Sequence, residues 1–138
     1  MAGVEALKGT WDYVDGKDFD KYMSEIGVSF LMRQTAKLIT PRIIISEVNG
    51  RWTVRSETHI KNVQYDFIPG EEFDETTPDG REVKSLIKFE NGRWIHSSRD
   101  KKGKESVVTR YVDEAGLHQV ILTCGDVRAT RVYKRADT

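Results

Sequence analysis

"REVKSLIKFENGRWIHSSRD", residues 81–100, decides the fold. Arg81, Val83, Ser85, Ile87 and Phe89 alternate with Glu82, Lys84, Leu86 and Lys88, the two-residue period of a β-strand. The even set is mostly charged and belongs in water, so the odd set, part polar and part apolar, faces inward. Asn91-Gly92 follows at once, and both residue types accept the positive φ of a two-residue hairpin turn. A shift of one residue in register would exchange the two faces.

The same unit recurs along the chain. Asn49-Gly50 is a second strong hairpin turn, and Pro78-Asp79-Gly80, Lys102-Gly103, Glu114-Ala115-Gly116 and Gly125-Asp126 are turn-like. Between them lie runs rich in β-branched and aromatic residues, among them "RIIISEV", "RWTVRSETH", "NVQYDFI", "ESVVTRYV", "HQVILT" and "ATRVYK". Short strands at this spacing predict an all-β sandwich or barrel. One stretch differs. After a first strand, "GTWDYVDG", Phe19, Tyr22, Met23 and Ile26 form a helical stripe, with Asp18 as N-cap and Gly27 at its end. "SFLMRQTAKLI" predicts a second helix, capped by Ser29 and stopped before Thr40-Pro41, although its apolar residues keep no clean face. One strand, two helices and about nine hairpin-linked strands predict an up-and-down antiparallel β-barrel of about ten strands. Closure removes the exposed edges, and that many strands enclose a cavity under a helical pair.

Bulk properties narrow the function. The 138 residues, read as a single domain over 1–138, hold 22 basic and 22 acidic side chains, so no basic excess points to nucleic acid. The single Cys124 excludes an internal disulfide and fits a reducing compartment. The N-terminus carries no signal-like apolar run, and no stretch is long and apolar enough for a transmembrane helix. A cytoplasmic protein is expected. His59, His96 and His118 lack metal-ligand spacing, no Gly-rich phosphate loop follows a strand, and nothing marks a basic helper for Cys124. Trp11, Trp52 and Trp94 read as structural.

Strand parity then selects candidates for the interior. Val108, Arg110 and Val112 share one face, as do Val120 and Leu122. In the last strand Val127, Ala129, Arg131 and Tyr133 compete with Arg128, Thr130, Val132 and Lys134. The second set contains two obvious solvent residues, which favours the first as inner. Buried guanidinium groups need water, a carboxylate or an acidic ligand. Arg forks onto both oxygens of a carboxylate, and a Tyr hydroxyl adds a further bond. With apolar walls, such a cavity selects an acid head on a hydrocarbon tail. Burying ~16 methylenes at ~0.8 kcal/mol each sets an upper bound of ~13 kcal/mol, from which ordering and immobilisation subtract heavily.

These residues resemble the intracellular lipid-binding proteins, specifically the fatty-acid-binding branch, over nearly the whole chain. "GTWDYVDGKDFDKYM" is similar to the family's N-terminal signature, and "GVSF", "RQTAKLITP", "KNVQYDFIPGEEFDETTPDGREVKS" and "TRVYKR" follow in order. Tyr13 and Asp18 stand where Leu and Asn are commoner, Ile60 where many members carry an aromatic gate, and Pro78 where Ala is usual. The resemblance implies a ten-stranded calycin/lipocalin-like barrel with a helix-turn-helix lid over about residues 17–40. It also implies a monomeric cytosolic carrier that binds long-chain fatty acids reversibly, without catalysis or cofactor. By this resemblance Arg110, Arg131 and Tyr133 hold the carboxylate. Phe19, Tyr22, Val28, Pro41, Asp79, Arg81 and His96 line the cavity or lid, joining the inward Val108, Val120 and Leu122. Ile60 and Lys61 mark the portal. "RDKKGKE" reads as a solvated hairpin or as a patch for transient membrane contact. A retinoic-acid carrier on the same fold is the alternative, since the same three residues would serve it. A small hydrolase needs an activated nucleophile, and a protein-interaction barrel needs a closed, ligand-free interior.

Overall fold

The computed structural model describes residues 3–77 and 80–136. A single 3-10 turn, Val4–Leu7, leads into β1 (Gly9–Lys17); α1 (Phe19–Glu25) and α2 (Phe30–Lys37) follow. Then come β2 (Arg42–Val48), β3 (Arg51–Glu57), β4 (Asn62–Phe67), β5 (Phe73–Thr76) and β6 (Glu82–Glu90). The chain closes with β7 (Arg93–Asp100), β8 (Glu105–Val112), β9 (His118–Cys124) and β10 (Val127–Arg135). All ten strands form one antiparallel sheet in the order β4-β3-β2-β1-β10-β9-β8-β7-β6-β5. Every neighbour is a sequence neighbour except β1 and β10, whose pairing turns the meander into a barrel. The two edges, β4 and β5, meet through side chains: the Phe73 ring lies 5.8 Å from Tyr65 and 6.0 Å from Phe67.

Both Asn-Gly turns form as read. Asn49 and Gly50 have φ of 52° and 85°, Asn91 and Gly92 of 52° and 77°, the left-handed pair a tight hairpin requires. The α1 stripe packs on β9 and β10, with Tyr22 and Met23 buried. The expected capping by Asp18 is corrected. Its backbone is left-handed, at φ 59°, and its side chain makes no cap bond, because capping needs an extended residue that folds its oxygen back over the first turn. Ser29 is extended and does cap, accepting from the Met32 N–H at 3.3 Å. α2 buries none of its residues, which accounts for the missing clean face.

The 3-10 turn and the helices lie at opposite ends of β1, and so at opposite ends of the barrel. At the first end Leu7 and Trp11 are fully buried, and the Trp11 indole donates to the Leu7 carbonyl at 2.8 Å. Trp94 packs edge-on against Phe67 at 4.9 Å and Trp52 at 5.7 Å, completing an aromatic plug. Near the lid β1 carries a bulge between Tyr13 and Asp15. A Cβ on Gly16 would sit 2.7 Å from the Tyr13 hydroxyl and 3.1 Å from the Thr130 carbonyl, so this close approach requires glycine.

Candidate functional site

Antiparallel pairing places Trp94, Arg110, Val120, Arg131 and Gly16 opposite one another on β7, β8, β9, β10 and β1. Directly opposed residues share a face. Trp94 and Val120 are buried, so the whole row points into the barrel, with an arginine on each side of Val120. One row nearer the plug, Tyr13, Tyr133, His118 and Val112 align in the same way. The inner face of β10 is therefore Val127, Ala129, Arg131 and Tyr133, while Arg128 and Lys134 are exposed.

Aromatic rings surround the Arg131 guanidinium. Its central carbon lies 4.2 Å from the Phe19 ring, 4.5 Å from Tyr13 and 5.9 Å from Tyr133. Such cation–π contacts steady a charge without using its N–H donors. The Arg131 Nε is buried with no hydrogen-bond partner, and so is the Arg110 Nε. Arg110 reaches His118, with Nη1 3.3 Å from the ring Nε2. Burial first, then the charges of Arg110 and Arg135, push the His118 imidazole down to about 2. It is neutral, and the Arg110 donor assigns Nε2 as acceptor, which leaves the proton on a buried Nδ1 without a partner.

A second polar group lies towards the lid. Glu75 Oε1 accepts from the Ser85 hydroxyl at 2.8 Å and meets His96 Nε2 at 3.1 Å, while Ser85 and Ser98 share a bond of 2.9 Å. Burial would raise the Glu75 carboxyl, but the hydrogen bonds from His96 and Ser85, with the charges of His96 and Arg110, hold it below its usual range. Glu75 offsets at most one of the two arginines.

The other expected residues fall around this wall. Tyr22, Val28, His96, Val120 and Leu122 are buried, Pro41 is too, and Val108 is half-buried. Phe19 stacks on Tyr22 at 6.3 Å. Arg81 lines a crevice of about 10 Å³ with Ile26, Val83, Ser98 and Lys104. Ile60 and Lys61 are exposed on a turn held by the Thr58 hydroxyl, which accepts from the Lys61 N–H at 2.9 Å and donates to the Lys61 carbonyl at 2.8 Å. Asp79 lies outside the described residues. Glu75, His118 and Tyr13 were not read from the sequence as site residues. His118 shares strand parity with Val120 and Leu122, the signal that could have found it.

The sequence profile of the lipocalin / cytosolic fatty-acid binding protein family matches residues 8–136. The chain belongs to that family. It is 39% identical over 135 residues to fatty acid-binding protein 9 of Homo sapiens, covering 96% of this chain and 98% of that one. It is 35% identical over 138 residues to fatty acid-binding protein 5 of Bos taurus, covering 99% and 100%. Among solved structures, the Schistosoma mansoni fatty acid binding protein in complex with arachidonic acid superposes with a TM-score of 0.91 at 34% identity, covering 99% and 100%. Among the described residues no helix is long and apolar enough to cross a membrane.

Proposed function

We propose that this protein is a carrier that reversibly holds a long-chain fatty acid inside the barrel. The carboxylate sits between Arg110 and Arg131, with the Tyr133 hydroxyl as a further donor. One observation carries the reading: two inward guanidinium groups share a row, and each keeps a buried, unpartnered Nε. The fatty-acid-binding names of the relatives support it. The carrier works in the cytosol, as its single unpaired Cys124 suits.

The bound acid leaves unchanged. Ser85 and His96 both bond Glu75 Oε1, so the order is Ser–Glu–His and no imidazole sits on the hydroxyl to activate it. Passage runs under α2. That helix presents Phe30, Leu31 and Met32 to solvent, with Leu38 just beyond it and Ile60 on the portal turn. This apolar rim, rather than the Lys101–Lys104 hairpin, makes the transient membrane contact that delivers ligand.

The test is calorimetric titration of delipidated protein with oleate, beside Arg131→Ala and Arg110→Ala. The expected result is one equivalent bound, weakened about 10- to 100-fold in each variant, as loss of a charge-assisted bond predicts. Binding indifferent to both variants would overturn the head-group assignment. Oleate that gives no binding heat and does not compete with a bound fluorescent fatty-acid probe would overturn the fatty-acid carrier reading.

A further inference from the structure

On the inner face the rows climb from the arginines towards the lid in a fixed order. Ile87, His96, Val108, Leu122 and Ala129 form the next row, and Phe73, Ser85, Ser98 and Ser106 align above it on β5 to β8. Each row is two residues, so His96 stands about 7 Å and Ser85 about 14 Å of strand rise above Arg110. An acyl chain whose carboxylate is at the arginines, running to the lid, must pass this wall. The wall is mostly apolar, but on β6 and β7 it carries a polar patch of His96, Ser85 and Ser98 to which an unsubstituted hydrocarbon offers nothing in return.

Glu75 is the group with capacity to spare. An ionised carboxylate accepts about four hydrogen bonds. Glu75 takes two, from Ser85 and His96, both on Oε1. Its side chain is only 12% exposed. Both bonds leave Oε2 open, and a ligand O–H would supply a donor there where an apolar chain would not. Tyr65 and Phe73 stand beside the cluster, 5.7 Å and 6.1 Å from the His96 ring, and provide apolar contact for methylenes on either side.

We propose that Glu75, held by Ser85 and His96, is a second ligand subsite that receives a mid-chain hydroxyl, so that the preferred ligand class is a hydroxylated long-chain fatty acid. The subsite rests on the carrier reading, because the arginines set where along the chain the hydroxyl must lie. The hydroxyl donates to the carboxylate, and the bond is charge-assisted.

Oleate and ricinoleate share a chain and differ by one mid-chain hydroxyl, which makes them the probes. Wild-type protein is expected to bind ricinoleate about tenfold more tightly than oleate by calorimetry. Glu75→Gln, checked for fold by circular dichroism, should bring the ratio close to one. Glu75→Asp, which keeps the charge but withdraws it by a methylene, should also lower the ratio. Equal affinities in the wild type, or a preference that survives both variants, would overturn the subsite and leave the carrier standing. Failure of the wild type to bind oleate at all would overturn the carrier reading itself.

Discussion

A guanidinium inside a barrel is tolerable only where its faces and its edges are both provided for. Aromatic rings of Tyr13, Phe19 and Tyr133 attend to Arg131, while its Nε stays unpartnered. On the proposed head-group reading, the site is steady before the anion arrives and gains its remaining bonds when the anion binds. Glu75 competes with that anion for the field of Arg110. Glu75→Gln is therefore expected to tighten oleate about threefold, a calorimetric result opposite in sign to general damage. His118 carries a pH prediction. In the fold it stays neutral down to about 2, whereas the unfolded chain takes up the proton near pH ~6.5. The unfolded state binds more protons across that window, so this contribution is intact above pH ~6.5 and falls by about 1.4 kcal/mol per pH unit below it. Urea melts should show about 2 kcal/mol less stability at pH ~5 than at pH ~7, and His118→Leu should flatten the slope. Arg131 was legible because solvent-bound Arg128 and Lys134 fix the parity of β10, whereas Arg110 rested on the even face of β8 that it shares with Val108 and Val112 and on the family resemblance. His118 was not, because Gln119, Ile121 and Thr123 on the other face of β9 are half-buried and blur its alternation. Glu75 sits in a strand of only four residues, too short for a period to declare itself.

Elements were read where local chemistry dominates. The Asn-Gly turns and the Ser29 cap are short-range devices, and both formed. Asp18 has a cap's residue type, yet the turn from β1 into α1 puts it in a left-handed conformation that no composition announces. α2 was legible as a helix, and its lack of a clean face matches a helix that buries none of its residues fully and packs only Ala36 against the core. Arg33 holds it down: Nη1 donates to the Val28 carbonyl at 2.7 Å, Nε to Asp20 at 3.2 Å, and the guanidinium lies 5.7 Å from the Phe30 ring. Arg33→Ala should speed oleate release several-fold in stopped-flow displacement while changing affinity much less, since the head-group contacts remain. A release rate equal to wild type would remove α2 from the gating account.

At the scale of the molecule, the sequence required a long meander to close but not where the seam falls. Hydrogen bonding leaves no residue signature, and the seam shows only as Tyr65 and Phe67 meeting Phe73 between β4 and β5. Phe73→Ala should cost about 2–4 kcal/mol in urea unfolding, somewhat less than a fully buried Phe. It should also raise amide exchange along β4 and β5 before the rest of the sheet. The plug of Leu7, Trp11, Trp52 and Trp94 closes the far end, so ligand passes only by the lid and the charge pair sits deep. The central claim is that this depth holds a carboxylate against two arginines. Oleate enriched with carbon-13 at its carboxyl, bound to the protein and followed by NMR from about pH 8 to about pH 4, tests it most directly. A bound resonance that stays at its ionised position across that range is the predicted result. A resonance that titrates like an ordinary solvated fatty acid would place the carboxylate elsewhere and contradict the account.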